Sequence, residues 1–432
     1  MTKKISNVVF CGEYPLQFTR LVWYNIRNVY EISVKYMEYQ FSDRLKNLKG
    51  NAIREIFKLL STPGIISFAG GFPAKETLPV DEIREIADKV LSENGAEILQ
   101  YGGTEGYRPL IESAGEYVRR DGVTATPEST LIVSGGQQGI DLTFKAFINK
   151  GDRVLVENPT YLAALHILKT YEGEAIGVDS DDDGINILDL AKKIVFYAPK
   201  ILYLVPNFSN PSGKTLSKEK REAIYAICKK HGVIILEDNP YGEIRFSGER
   251  VPSIKSYDTD GIVIYQTSFS KVISPGLRTG VVVAAPEIIR KLTIGKQASD
   301  VHTSSLSQAI IDRYIREGRL DAHIDEIIPV YKAKKDAMYA AIQKYMPKGI
   351  RFTNPDGGLF IFAEFARKGI NTDDIFKDVV EKTGCAYVPG SSFFADGKTF
   401  NTFRLNYSNA TEEQIEKGIK SLAEYFTKLL ED

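Results

Sequence analysis

Lys271 sits in the run Ser268-Phe269-Ser270-Lys271-Val272-Ile273-Ser274-Pro275-Gly276-Leu277-Arg278, behind two hydroxyls and seven residues ahead of a guanidinium. A lysine can condense with an aldehyde as a Schiff base, and Ser268, Ser270 and Arg278 can hold a phosphate dianion beside it. These are the parts that pyridoxal phosphate, an aldehyde carrying a phosphate, demands. Alone, the segment reads equally well as a solvated surface loop. The preceding run Gly261-Ile262-Val263-Ile264-Tyr265-Gln266 favours the chemical reading. It places Lys271 just past the carboxyl end of a buried strand, where ligands of open α/β sheets bind.

Other chemically capable groups follow other apolar runs. Ser134-Gly135-Gly136-Gln137-Gln138-Gly139 comes after Leu131-Ile132-Val133, and its glycines let the backbone and a helix start approach a phosphate. Taken alone, such a turn is a weak signal. Glu237-Asp238 ends the run Val233-Ile234-Ile235-Leu236, and a carboxylate there is costly to bury unless it meets a cation. A pyridinium nitrogen is such a cation, and keeping it protonated strengthens the cofactor as an electron sink. Tyr241, and Asn210 from the neighbouring Pro206–Gly213 loop, can hydrogen-bond the phenolic oxygen of the same ring. Tyr161, after Val154-Leu155-Val156, has a flat face suited to stacking on a pyridine, although it also reads as an ordinary loop tyrosine.

These groups require a scaffold that gathers strand ends. Between residues 130 and 285 short β-branched runs, at 131–133, 154–156, 201–205, 233–236, 261–266 and 281–283, alternate with helical patterns. Continuous apolarity predicts strands buried on both faces. A stripe at Ala223, Ile224, Ile227 and Cys228 predicts a helix over 217–231, with His231 at its capped end before Gly232. Together they predict an α/β fold, a large domain with a mostly parallel sheet covered by helices. After residue 330 come a long charged helix, a Pro-Asp-Gly-Gly turn at 355–358 and short strands, which predict a smaller α+β domain. Ser42-Asp43 opens a helical pattern that reaches Leu60 and stops at Pro63-Gly64. The organisation expected is a large domain at 66–329, a small domain of 41–65 with 330–432, and an extension of unassigned role at 1–40.

Composition narrows the function. Lys plus Arg (55) and Asp plus Glu (56) nearly cancel over 432 residues, so no long-range field favours nucleic acid or an anionic membrane. Three dispersed cysteines, Cys11, Cys228 and Cys385, suit a reducing compartment, and a cytoplasmic location is expected. Four histidines show no metal-ligand spacing, so no metal is expected. No apolar run is long enough to span a bilayer, and Ser6, Asn7, Gly12 and Glu13 interrupt any secretory core.

From about Phe41 onward the chain resembles class I aminotransferases of pyridoxal-phosphate fold type I, in particular the subgroup of 2-aminoadipate and kynurenine aminotransferases. The motifs are residues 65–73 (IISFAGGFP), 99–101 (LQY), 134–139, 210–213 (NPSG), 238–241 (DNPY), the Lys271 segment and 403–407 (FRLNY). The resemblance implies that Lys271 is the Schiff-base lysine and proton shuttle, Asp238 the pyridinium partner, and Tyr241 and Asn210 the phenolic-oxygen contacts. It further implies that Tyr161 stacks on the ring and that Gly136, Gln137, Ser268, Ser270 and Arg278 hold the phosphate. Tyr101 would reach the phosphate of the other subunit, which implies a homodimer with shared sites. Arg404 would pair with the substrate α-carboxylate, Gly71 and Asn210 would line the substrate, and Arg54 would meet a distal acidic or aromatic group. Where relatives commonly carry Ser, this chain has Gly136, so one hydroxyl contact to phosphate is absent.

The expected activity is ping-pong transfer of an amino group from an α-amino acid, whether 2-aminoadipate, aromatic or of broad range, to 2-oxoglutarate. A carbon–sulfur lyase would use the same cofactor set and release ammonia and pyruvate. A non-catalytic effector-binding regulator would need a winged-helix module, for which residues 1–40 are too short and too poor in basic residues.

Overall fold

A computed structural model describes residues 39–46, 48 and 64–431 of the chain. It divides into two compact units, Met1–Asn47 and Leu48–Asp432. In the first, the helix Asp43–Lys46 starts where Ser42 offers its carbonyl to the N–H groups of Leu45 and Lys46, both at 2.9 Å. The rest of the helical pattern expected up to Leu60 falls almost wholly outside the described residues.

The second unit is built on an eight-stranded sheet. Its strands, in spatial order, are Thr130–Val133, Gly280–Val283, Val263–Ser268, Ile234–Asp238, Ile201–Leu204, Arg153–Asn158, Glu174–Asp181 and Gly184–Ile185. The four pairings from Val263–Ser268 to Glu174–Asp181 are parallel, and Gly280–Val283 runs antiparallel to both its neighbours. The apolar runs are buried along their length, as sheet strands covered on both faces require. The helix Lys218–His231 fits its stripe: Ser217 caps it, Ile224 and Cys228 are buried, and Gly232 ends it at φ +68°.

Two strands reach further toward the site than their apolar runs suggest. Ile234–Asp238 and Val263–Ser268 both extend two residues beyond the expected ends at 236 and 266: the parallel ladder pairs Asp238 with Gln266, and the antiparallel one pairs Thr267 with Val281 and Ser268 with Gly280. Glu237 is tolerated inside the strand since Ser253 Oγ donates to it at 2.6 Å, with the N–H groups of Ile254 at 2.8 Å and Lys255 at 2.9 Å adding to it. Glu174–Asp181 has no continuous apolar run and was not expected as a strand; it lies near the sheet edge, where polar positions meet solvent.

A four-stranded antiparallel sheet follows, in the order Ile350–Phe352, Phe360–Phe365, Thr402–Asn406, Val388–Pro389. The helices Arg319–Tyr345 and Glu412–Glu431 share its core through Met338, Ile342, Ile419 and Phe426. Gly213, at φ +71°, joins this sheet to the loop after Leu204: a side chain there would stand 2.9 Å from the Phe360 carbonyl oxygen. No helix among the described residues is long and apolar enough to cross a membrane.

Candidate active site

The carboxyl ends of the strands ending at Val133, Leu204, Asp238 and Ser268 open on one cavity of about 420 Å³. At one end are Gly136, Gln137, Ser268, Ser270 and Arg278. Ser268 Oγ donates to Ser270 Oγ at 2.9 Å, and Arg278 Nη2 donates to the Ser134 carbonyl at 3.1 Å. Gly135 makes that approach possible. It sits at φ +86°, and a Cβ there would stand 2.4 Å from Arg278 Nη2. Two hydroxyls, a guanidinium and the start of the helix Gly136–Phe147 form a donor set suited to a phosphate.

In the middle of the cavity Asp238 is 5% exposed and accepts a hydrogen bond from the Tyr203 hydroxyl at 2.9 Å. Burial pushes its carboxyl up to about 6, against the downward pull of the Gln266 amide and the Tyr203 hydroxyl. The Gln266 side chain is fully buried beside it, with neither amide atom in a well-formed hydrogen bond. A carboxylate this dry calls for a cation in the cavity.

Lys271 is half-buried, with Nζ donating to the Gly71 carbonyl at 2.8 Å and standing 6.0 Å from the centre of the Tyr241 ring. Desolvation by the cavity wall, then the nearby charges of Arg404 and Arg278, bring its ammonium down to about 8. Such a lysine gives up its proton readily and becomes a nucleophile. Tyr241 packs edge-on against Phe360 and hydrogen-bonds with Asn210. Tyr161, at the start of the helix Leu162–Thr170, lines the same space.

Arg404 lies in the middle of the strand Thr402–Asn406, 2% exposed, rather than on a surface. Nη1 donates to Asn210 Oδ1 and Nη2 to the Ala69 carbonyl, both at 2.7 Å, while the guanidinium stands 4.3 Å from the centre of the Phe360 ring. Burial lowers its pKa to about 10. Nε has no protein partner, and among the described residues no carboxylate pairs with it. A ligand carboxylate would supply what this cation lacks.

The cavity therefore gathers Gly71, Gly136, Gln137, Tyr161, Asn210, Asp238, Tyr241, Ser268, Ser270, Lys271, Arg278 and Arg404. Tyr101 is not among its walls. It is 81% exposed, with its ring edge-on to His302 at 6.0 Å. Arg54 lies outside the described residues. The sequence reading missed Tyr203 and Gln266, which sit inside buried strands, and Phe360, which opens the strand Phe360–Phe365; all three read there as core. Tyr203 and Gln266 carry the one available signal, a polar group in a fully buried run.

The residues present fit pyridoxal phosphate. A buried acid without a cation, a buried guanidinium with an unpartnered Nε, an anion cradle and a readily deprotonated lysine all face one cavity. Gly136 leaves room between them: a Cβ there would meet Ser268 at 3.7 Å and Asp238 Oδ1 at 3.9 Å.

Comparison with known proteins agrees with this geometry. The family model described as "Aminotransferase class I and II" matches residues 63–422. The chain is 44% identical over 393 residues to an aromatic-amino-acid aminotransferase of Thermococcus litoralis, covering 90% of this chain and 94% of the relative. Among solved structures it is similar to a kynurenine aminotransferase of Pyrococcus horikoshii in complex with PMP, at TM-score 0.87 and 38% identity over 90% of this chain and 97% of the other. It is also similar to an α-aminoadipate aminotransferase of Thermus thermophilus complexed with N-(5'-phosphopyridoxyl)-L-leucine, at TM-score 0.84 and 35% identity over 90% and 98%.

Proposed function

The chain belongs to the class I and II aminotransferases, and from that premise we propose that it carries an amino group from an aromatic or 2-aminoadipate-like α-amino acid to 2-oxoglutarate by a ping-pong route. The enzyme is a pyridoxal-phosphate-dependent transaminase. The donor class follows the relatives named for aromatic amino acids, kynurenine and 2-aminoadipate. Phe72, Ile140 and Leu162 add apolar wall to the cavity, which favours an apolar or aromatic side chain.

The bound cofactor supplies an electron sink for the pair left when an amino acid loses its Cα proton, and a carrier for the amino group between two substrates. Gly136, Gln137, Ser268, Ser270 and Arg278 hold its phosphate. Tyr161 stacks on the ring, Asn210 and Tyr241 contact its phenolic oxygen, and Asp238 meets the ring nitrogen with a charge that Tyr203 helps to keep. Lys271 is the covalent anchor and moves the Cα proton at its Nζ, a task matched to an ammonium that ionises at about 8. Arg404 orients each substrate through its α-carboxylate, with Asn210 and Gly71 beside it, and Arg54 reads the distal group. Tyr101 serves the site of a second copy in a homodimer; its exposure and its place outside its own cavity support that reading.

The observation that carries the proposal is the convergence of Lys271, Asp238 and Arg404 on one cavity. Mixing the holoenzyme with single amino acids tests it. Phenylalanine, tyrosine or 2-aminoadipate is expected to move the cofactor absorbance to the pyridoxamine form, and 2-oxoglutarate to restore it. Release of ammonia and pyruvate from β-substituted amino acids, with no transfer to 2-oxoglutarate, would replace this function with a lyase.

A further inference from the structure

The turn Ser134–Gln138 contains two adjacent glycines, Gly135 and Gly136, and glycine by itself fixes no backbone shape. A group outside the cavity holds this turn. Lys296 and Asp300, on the helix Pro286–Asp300, form an ion pair whose lysine side chain is 0% exposed. Lys296 Nζ donates to Asp300 Oδ1 at 2.9 Å, to Asp300 Oδ2 at 3.0 Å and to Gln138 Oε1 at 2.8 Å, so its three protons are all engaged. Gln138 Oε1 also accepts the Ser134 N–H at 2.7 Å, and Gln138 Nε2 donates to Asp300 Oδ2 at 2.8 Å. Ser134 Oγ donates to the same Asp300 oxygen at 2.8 Å and lies 3.1 Å from Thr303 Oγ1. The Ser134 carbonyl, fixed in this way, receives Arg278 Nη2 at 3.1 Å.

The pair is itself weak support for stability, because the buried lysine bears a desolvation cost while Asp300, 29% exposed, meets it partly in solvent. It directs nearly all its remaining hydrogen bonds to the two ends of a single turn. Its net charge is zero, so it shapes the turn and leaves Arg278 as the charge that meets an anion. We propose that Lys296 and Asp300 are positioning residues that hold the Ser134–Gln138 turn and Arg278 in the arrangement that binds the cofactor phosphate. The proposal rests on the reading of that turn as the phosphate site.

The test compares two ligands of the full-length chain stripped of cofactor: pyridoxal phosphate, and pyridoxal, which has the same ring and aldehyde but no phosphate. Titration followed by cofactor absorbance gives the ratio of their affinities. For Lys296→Met the expected result is a fall of tenfold or more in that ratio, with pyridoxal binding unchanged. An equal loss for both ligands, or an unchanged ratio, would overturn the proposal, since a merely structural pair supports the whole site alike. A wild-type chain that does not distinguish the two ligands would instead overturn the phosphate reading of the turn. Should Lys296→Met fail to fold, Asp300→Asn keeps the shape while removing the charge, and its affinity ratio decides in the same way.

Discussion

Arg404 Nη1 donates to Asn210 Oδ1 at 2.7 Å, which ties a strand of the antiparallel sheet to the loop that follows a strand of the parallel one. The same asparagine hydrogen-bonds with Tyr241. One amide thus sets the position of the guanidinium that receives substrate relative to the phenol proposed to face the cofactor. Reactants held at fixed geometry lose the entropic barrier to meeting, and this linkage supplies that geometry.

Arg404→Lys keeps the charge but loses the planar fork. A lost charge-assisted hydrogen bond of about 1.5–3 kcal/mol corresponds to a fall of about 10- to 150-fold in kcat/KM. The fall is expected to be alike for aromatic, acidic and aliphatic donors, because all share the α-carboxylate. Steady-state kinetics on three such donors measures it, and a loss confined to one class would assign Arg404 to side-chain recognition instead.

Asp238 links function to stability. Its carboxyl titrates at about 6 in the folded chain against an ordinary 3.8, so between those values the folded state binds more protons than the unfolded one. The stability of the cofactor-free chain should therefore fall as pH rises from about 4 through about 6, by about 3 kcal/mol from this group. Asp238→Asn removes that cost. Urea unfolding of cofactor-free protein should show the variant more stable above pH 6, with the gap closing below pH 4, while its rate of Cα-proton removal drops sharply. A variant less stable at pH 7 would mean that the carboxylate is already paired within the protein.

Much of this site was legible in the sequence because its groups follow apolar runs, and in a parallel sheet the ends of such runs converge. Lys271, Asp238 and Asn210 could be found in that way. Tyr203 and Gln266 could not, since each stands inside a strand and its role depends on which strand lies beside it. The pairing of Asp238 with Gln266 is a property of register, to which strand composition is blind. The strand Glu174–Asp181 escaped notice for a related reason: its polar positions break the continuous apolarity that marks a covered strand. The clamp on the Ser134–Gln138 turn was equally hidden. Ser134 and Asp300 are 166 positions apart, and nothing local to either suggests the other.

The shared-site proposal makes its own prediction. Chains carrying Tyr101→Ala and chains carrying Lys271→Ala are each expected to be inactive. In a hybrid dimer both lesions can fall in one site and leave the other intact, so an equal, freely exchanging mixture should recover about a quarter of the sites. Activity of the mixture against each parent measures this. No recovery in hybrids shown to form by native mass spectrometry would confine Tyr101 to its own subunit.

The most direct measurement of the account is to reduce the holoenzyme with borohydride, which fixes the cofactor to whichever lysine holds it, and to locate the pyridoxyl group by peptide mass spectrometry. The label is predicted on Lys271, and Lys271→Ala is predicted to fold, to take no label and to lose transamination by several orders of magnitude. A label on any other lysine, or turnover of Lys271→Ala within tenfold of wild type, would contradict it.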